Sequence, residues 1–541
     1  MGKKGMMLLK TLLIKNGFLV DGSGNPGKRG SLLIRGDRIE RVVLEGEILK
    51  DVGVDEVFDA EGFAVSPGFI DIHSHQDALI FANPMSEAKL RQGVTTEVIG
   101  NCGFSPFPAP KDEAKLKIFV GLMESLDFQF PAEGVSWTDF DSFMEMAEKR
   151  SFGTNLLPLV AHGAIRVTAM GGDQRAPSEE EMNKMALLLK ESLEQGAWGM
   201  SSGLAYAPGS FAEPEEIEML CGEIKKADSF YTSHVRNEGD GVLPSIDEAI
   251  EMGRKTGCRV NISHIKAMGV ANWNQSDIIL KKLADAKGEG IDVSADQYPY
   301  PASSTILGVL TPKWANDGGT EKLCERILNR EENPTLLAEI EKNMMSRGGS
   351  DRVIITRCAT TYDPPVGGRT ITEIAEEFGL SPIDTVAKLI VESVNSVSAI
   401  YLSLADEDVS EILKDSEIMV GSDGMVNLEY PQYSHPRTFG TFPRVLGRYV
   451  REEKILSLES AIRKMTSLPA ERIGLKGRGL LKPGYVADIT IFDPATVGDR
   501  GTYTEANLEP VGIYRVMMNG EWIVQSGELT GKKCGKILRK E

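Results

Sequence analysis

Eight short apolar runs, most of them separated by helix-forming stretches, set the tightest limit on how this chain can fold. They occupy residues 69–73, 96–102, 156–162, 197–202, 230–234, 259–264, 291–298 and 418–423. Eight strand–helix repeats are what a (β/α)8 (TIM) barrel requires, which makes the expected fold class α/β. Seven runs finish on or near a reactive polar residue: His73 and His75, Cys102, His162, His234, His264, Asp296 with Tyr298, and Asp423. The C-terminal strand ends of such a barrel share one mouth, and chemistry is done there. Five of the six histidines fall at these ends, which chance does not produce. In GFIDIHSH, His73 and His75 stand two residues apart, so an extended backbone sends both imidazoles from one face.

The two ends of the chain read differently. Residues 10–66 and the last 70 or so are short apolar segments split by turn residues, with hairpin turns expected at Asn16-Gly17, Gly36-Asp37 and Asn519-Gly520. The ends are expected to pair into one β domain. In the middle, the helix over 178–195 is a sample of the barrel's outer layer. Ser178 and Glu181 form a capping box, Met182, Met185, Ala186, Leu189 and Leu193 recur at helical spacing, and Gly196 is the stop. Runs seven and eight are about 120 residues apart, more than one crossover helix needs. An insertion is expected over about 311–350, with 351–356 returning to the barrel and a helical stretch over 370–395.

Composition narrows the function. A net charge of −19 argues against a nucleic-acid partner. Six scattered cysteines without paired spacing fit a reducing, cytoplasmic setting. The opening MGKKGMMLLKTLLIKNG reads as a first strand rather than a signal peptide, and no apolar run reaches the roughly 18 residues of a membrane span. The expected partner is a small molecule, with neither nucleic acid nor membrane, and the reading leaves room for a homo-oligomer.

The candidate metal ligands are His73, His75, Cys102, His234, His264 and Asp423. Nitrogen, thiolate and carboxylate together suit Zn2+ or a similar ion. Six groups exceed one four-coordinate site. Two metals sharing the Cys102 thiolate would use them all, and one tight metal beside a weaker second position fits equally well. Asp423, ending the strand in VGSDG, is the candidate catalytic group, able to take a proton from a water and pass it on. His162 and His435 are read as supporting residues. Lys266, two residues past His264, would join Arg437, Tyr298 and Ser304 to recognise a substrate carboxylate.

These motifs carry a resemblance. PGFIDIHSH, GNCGFSP, SSGLAYAPG, YTSHVRNEG, ISHIKAMG, DQYPYPASST, VGSDG and HPRTFGTFPRVLGRY, in order from about residue 67 to 450, resemble the amidohydrolase superfamily and, more closely, its D-aminoacylase (N-acyl-D-amino-acid deacylase) family. LLKPGYVADITIFDP and MMNGEWI resemble the superfamily's accessory β domain. The resemblance implies a barrel over 67–470 and an accessory β-sandwich built from 1–66 and 471–541. It implies His73 and His75 at one metal position, His234 and His264 at the other, Cys102 bridging, and Asp423 catalytic. Tyr206, Lys266, Tyr298, Ser304 and Arg437 match positions around the substrate's carboxylate and leaving side. The implied activity is zinc-dependent hydrolysis of N-acyl-D-amino acids. The rivals are an amidohydrolase opening a cyclic amide such as a hydantoin or dihydroorotate, one cleaving a β-aspartyl dipeptide, and a non-catalytic barrel, which would lack ligands that are all present here.

Overall fold

The structure, a computed structural model, describes residues 10–47, 53–125 and 128–541. The eight runs are parallel barrel strands: β1 (Phe69–Asp71), β2 (Val94–Ile99), β3 (Asn155–Pro158, resuming as Val160–Ala161), β4 (Gly199–Gly203), β5 (Phe230–His234), β6 (Arg259–Ile262), β7 (Val293–Gln297) and β8 (Ile418–Val420). Each pairs with the next in chain order. The ring closes just beyond the last named residues, where Ser74 bridges Gly424 and the Asp423 N–H donates to the His73 carbonyl at 2.7 Å. Barrel strands are covered on both faces, so they read as continuous apolar runs rather than alternating ones. Every residue of β1, β2 and β3 is buried.

The sampled helix is Glu179–Glu194. Ser178 caps it by accepting from the Glu181 N–H, Glu181 completes the box, and Met185 and Leu189 face inward. Gly196 ends it at φ +109°, a conformation that favours glycine.

The insertion is wider than expected. A three-stranded antiparallel sheet joins Ser303–Ile306, Val397–Tyr401 and Val353–Cys358 in that order. Residues 351–356 therefore belong to the insertion's own sheet and do not return to the barrel. Four helices, Thr320–Leu328, Leu336–Ser346, Ile371–Phe378 and Pro382–Glu392, cover this sheet around a separate core that includes Leu323, Ile340, Ile355, Ile374 and Ile390. A strand run that ends on no reactive group gave no sign of which sheet it joins.

Both chain ends enter one nine-stranded sheet. The junction is antiparallel pairing of Ala64–Pro67 with Ile489–Phe492. The sheet curls until its far parts meet. The Trp522 indole N–H donates to Glu56 at 2.9 Å, and its ring lies 6.2 Å from Phe58, closing a core of Leu12, Ile14, Leu32, Ile489 and Met517. Gly36-Asp37 and Asn519-Gly520 are hairpin turns. Asn16-Gly17 is not one: it is a bulge inside the strand Thr11–Leu19, with Asn16 at φ +62°. An Asn-Gly pair supplies positive φ for a bulge as readily as for a turn. Of the opening segment read as a first strand, residues 1–9 lie outside the described residues. Among the described residues, no helix is long and apolar enough to cross a membrane.

Candidate active site

A buried ionic network forms the floor of the site, where β1 ends at Asp71 and the chain bends through Ile72 to His73. Asp71 Oδ1 accepts from the N–H groups of His73 (3.2 Å) and Ser422 (2.9 Å), and its Oδ2 accepts from Lys89 Nζ (2.6 Å) and Ser422 Oγ (2.5 Å). Beside it lies Glu97, the register partner of Asp71, which accepts from Ser74 Oγ (2.6 Å) with one oxygen and from Thr154 (2.6 Å) with the other. All of these side chains are buried. The floor is thus a hydrogen-bonded network around one cation, Lys89, 2.6 Å from Asp71 and 4.0 Å from Glu97, and it fixes β1 against β2 and β8.

The candidate ligands meet immediately above it. Donor atoms of His73, His75, Cys102 and Asp423 lie within 4.8 Å of one another, and so do those of Cys102, His234 and His264. Cys102 belongs to both sets. Its Sγ lies 3.2 Å from His73 Nε2 and 3.4 Å from His264 Nε2. Asp423 Oδ1 lies 3.1 Å from His75 Nε2 and 3.6 Å from His73 Nε2. Carboxylates behind two of the rings set which nitrogen points inward. His73 Nδ1 is 3.1 Å from Asp296, and His264 Nδ1 is 3.1 Å from Glu238, which leaves both Nε2 atoms directed at Cys102.

Charge is arranged to keep thiolate and carboxylate ionised. Burial favours neutral Cys102, but His73 and His264 outweigh it and hold the thiol well below its usual range. Burial likewise opposes charge on Asp423. Arg437 overcomes it, with His264 and His75, and the carboxyl sits well below the ordinary range. The donors suit a divalent zinc-like ion: an ionised thiolate, an ionised carboxylate and imidazoles, with His234 Nδ1 buried and lacking a hydrogen-bond partner among the described residues.

Three of the ligands also hold an uncommon backbone conformation. Cys102, His264 and Asp423 have φ of +54°, +34° and +50°, a region that costs a non-glycine residue on the order of 1–3 kcal/mol. Each is held there by its surroundings. The His264 N–H donates to Asp296 at 2.9 Å, and Asp423 is tied to His73 as above. Gly103, following Cys102, approaches β4 so closely that a Cβ would lie 2.4 Å from the Gly203 nitrogen.

The remaining expected residues lie around a cavity of about 450 Å3 above this cluster. The Tyr206 ring lies 4.7 Å from that of His234, tilted by 57°, and its hydroxyl pairs with Thr305 at 2.9 Å. Lys266 Nζ is 2.7 Å from His264 Nδ1 and bonds Glu238. Arg437 pairs with Asp423 at 2.8 Å, donates to the Ser304 carbonyl at 3.1 Å and lies 4.5 Å from the Tyr298 ring centre. The Tyr298 hydroxyl is buried and has no hydrogen-bond partner among the described residues. His435 positions Arg437: its Nδ1 accepts from the Arg437 N–H and its Nε2 donates to the Ala302 carbonyl. His162 stands apart, paired with Glu216 at 2.7 Å.

Several residues of the site carry no sequence motif for their role. Glu238 follows His234 by four residues in a loop. Lys89 sits in a short helix, Glu87–Leu90, between the first two runs. Asp77 is buried, and burial pushes its carboxyl up to about 6. Asp296 did have a signal, since it shares a strand face with Tyr298.

A closed (β/α)8 barrel with this cluster at its C-terminal mouth defines the class: a barrel enzyme whose site is assembled from strand ends. A family model described as the amidohydrolase family matches residues 56–524. An N-acyl-D-glutamate deacylase from Alcaligenes xylosoxydans xylosoxydans is 36% identical over 98% of this chain and 96% of its own length. A D-aminoacylase from the same organism is 35% identical over 97% of each. The crystal structure of N-acyl-D-glutamate deacylase from Bordetella bronchiseptica, complexed with zinc and a phosphonate that mimics the reaction's tetrahedral intermediate, superposes with a TM-score of 0.81. It is 34% identical and covers 98% of this chain and 100% of that one. The chain belongs to the amidohydrolase family, in its D-aminoacylase (N-acyl-D-amino-acid deacylase) branch.

Proposed function

We propose that this protein hydrolyses the amide bond of N-acyl-D-amino acids, releasing a carboxylate and a free D-amino acid, with Zn2+ as cofactor. The observation that carries the reading is Cys102 shared between two donor sets, buried except for the partly exposed His75, with Asp423 in one of them paired to Arg437. His73, His75, Cys102 and Asp423 would hold one ion, and Cys102, His234 and His264 the other, the two positions differing in affinity. The chemistry supplied there by a bound divalent ion is Lewis acidity, which polarises a carbonyl and acidifies a water.

The chain's own residues do the rest. Asp423 is kept ionised by Arg437 and so accepts a proton from the attacking water, then delivers it to the departing amine. Tyr298 offers an unspent hydroxyl, and Lys266 and Arg437 offer charge, to the substrate's α-carboxylate. Tyr206 and Ser304 complete that wall. Fixing carboxylate and carbonyl together leaves room for one enantiomer's side chain, and the D assignment is supported by the relatives named above. The six unpaired cysteines support a cytoplasmic setting.

A substrate panel tests this. N-acetyl-D-amino acids are expected to be cleaved, their L forms far more slowly, and hydantoins and dihydroorotate not at all. Activity confined to the cyclic substrates, or less than about one zinc per purified chain, overturns it.

A further inference from the structure

Ile489–Phe492 and Ile513–Met518 are neighbouring antiparallel strands of the nine-stranded sheet, yet the chain between them runs from 493 to 512. Roughly two to five residues close a hairpin, and a connection this long without helix or strand is uncommon unless it has a task. An isolated bridge between Gly498 and Val511 pinches its base. Beyond the bridge the loop leaves its own sheet and lies on the barrel segment that follows β8. The Ala506 N–H donates to the Gln432 carbonyl at 2.9 Å, and a Cβ at Gly501 would stand 3.2 Å from Pro436.

Two side chains of this loop reach the backing of the carboxylate wall. The Tyr503 ring lies 5.4 Å from that of His435 at 76°, and the Tyr300 ring lies 5.4 Å from the same imidazole at 89°. His435 is buried and ties two parts of the wall together: it accepts from the Arg437 N–H at 3.0 Å and donates to the Ala302 carbonyl at 3.1 Å, two residues before Ser304. Asp499 accepts from the Tyr300 hydroxyl at 3.1 Å and pairs with Arg444 at 3.0 Å. Arg444 stands 4.5 Å from the Tyr300 ring centre and donates to the carbonyl of Pro299, the residue after Tyr298, at 2.7 Å. The helix Arg437–Arg444 makes room for the aspartate with a glycine, since a Cβ at Gly440 would lie 2.6 Å from Asp499 Cβ. Neither Asp499 nor Tyr503 lines the cavity.

We propose, resting on the deacylase reading above, that the accessory β domain supplies Asp499 and Tyr503 as positioning residues for the substrate's α-carboxylate. Tyr503 acts on Arg437 through His435, and Asp499 acts on Tyr298 through Tyr300 and Arg444. Removing them leaves Arg437 its contacts with Asp423 and the Ser304 carbonyl. The proton-transfer end of the site therefore keeps its geometry while the clamp on the carboxylate loosens. An interaction made equally in the ground and transition states shows itself in KM and not in kcat.

The test is steady-state kinetics of the zinc-loaded enzyme on its best N-acetyl-D-amino acid. In Tyr503→Ala, KM is expected to rise about tenfold with kcat within about twofold and bound zinc unchanged. Tyr503→Phe keeps the ring and is expected to match the wild type. Asp499→Asn, which weakens the hold on Arg444 without removing it, is expected to raise KM about threefold. In a His435→Ala background Tyr503→Ala is expected to add less than about twofold, because two residues acting through one imidazole are not additive.

Unchanged KM in Tyr503→Ala and Asp499→Asn overturns the proposal. So does a fall in kcat or zinc that follows thermal destabilisation with KM kept, which is what a merely structural loop gives. Full additivity with His435→Ala overturns the route through the imidazole. Tyr503 also packs on the small cluster of Ala302, Ile354 and Ile400. If Tyr503→Ala does not fold, Tyr503→Leu, which keeps that apolar contact and loses the flat ring, carries the same expectation. A wild type that cleaves no N-acetyl-D-amino acid overturns the deacylase reading itself, before any variant is made.

Discussion

Two charged clusters lie one above the other at the end of β1, and they are built on opposite principles. The lower one, Asp71 with Lys89, Ser422, Ser74, Glu97 and Thr154, has every carboxylate oxygen hydrogen-bonded and its hydroxyls engaged. The upper one crowds donors within 4.8 Å in each of two sets, His73, His75, Cys102 and Asp423, and Cys102, His234 and His264, and leaves His234 Nδ1 without a partner among the described residues. Three of its members hold left-handed backbones, while none of the lower cluster does. Saturation below and under-satisfaction above amount to a division of labour: the floor is finished by folding, and the layer above is finished by a ligand.

Substitutions in the two layers should therefore fail differently. Asp423→Asn is expected to lower kcat by roughly 10^3 or more, while bound zinc and thermal stability stay near wild type. Parallel loss of metal and activity would instead make Asp423 chiefly a ligand. Lys89→Met should do the reverse. It leaves Asp71 buried without its cation, at a cost of about 3–5 kcal/mol in denaturant unfolding, with kcat falling only as far as the folded fraction does. A stable Lys89→Met protein would mean that Ser422 alone satisfies Asp71.

This layering was only half legible in the sequence. The upper layer announced itself because barrel chemistry sits at strand ends and imidazole, thiolate and carboxylate are rare enough to stand out there. Asp71 was visible between the run and the histidines, but its partner Lys89 lies on a short helix between β1 and β2, and nothing in its neighbourhood marks it as buried. Glu238 is hidden for the same reason, since a loop has no periodicity to say where its side chain points. The insertion was legible as extra length, yet its extent from Ser303 to Tyr401 was not, because antiparallel edge pairing is a long-range choice that local pattern does not record. Asn16-Gly17 shows the same limit at one residue pair: positive φ was foreseeable, and whether it turns the chain or bulges it depended on the partner strand.

Between the two layers stands Asp296, which binds His73 Nδ1 and the His264 N–H with one oxygen and Asn261 with the other. Asp296→Asn is expected to weaken zinc about 10- to 100-fold in a chelator competition and to leave unfolding in the zinc-free protein little changed. Unchanged zinc affinity would make Asp296 part of the floor rather than a support for the ligands.

The smallest effect comes from a buried lysine that lacks what Lys89 has. Lys464, on the helix Leu458–Met465, is fully buried with its Nζ donating to the Asp415 carbonyl, not to a carboxylate. Burial pulls its pKa down to about 7, and Asp415 and Glu417 recover only part of the shift. The folded value lies below the unfolded one, so between about 7 and 10.5 the unfolded chain binds the extra proton and stability rises with pH; below about 7 the cost of the buried charge is present in full. Lys464→Met removes this dependence. The variant is expected to gain on the wild type by about 1–2 kcal/mol more at pH 6 than at pH 9, read from denaturant midpoints at the two pH values. A pH-independent difference would show that Lys464 stays charged when buried, held by a single carbonyl and the acidic residues near it, and the contrast with the Lys89–Asp71 pair would then be one of geometry rather than of charge.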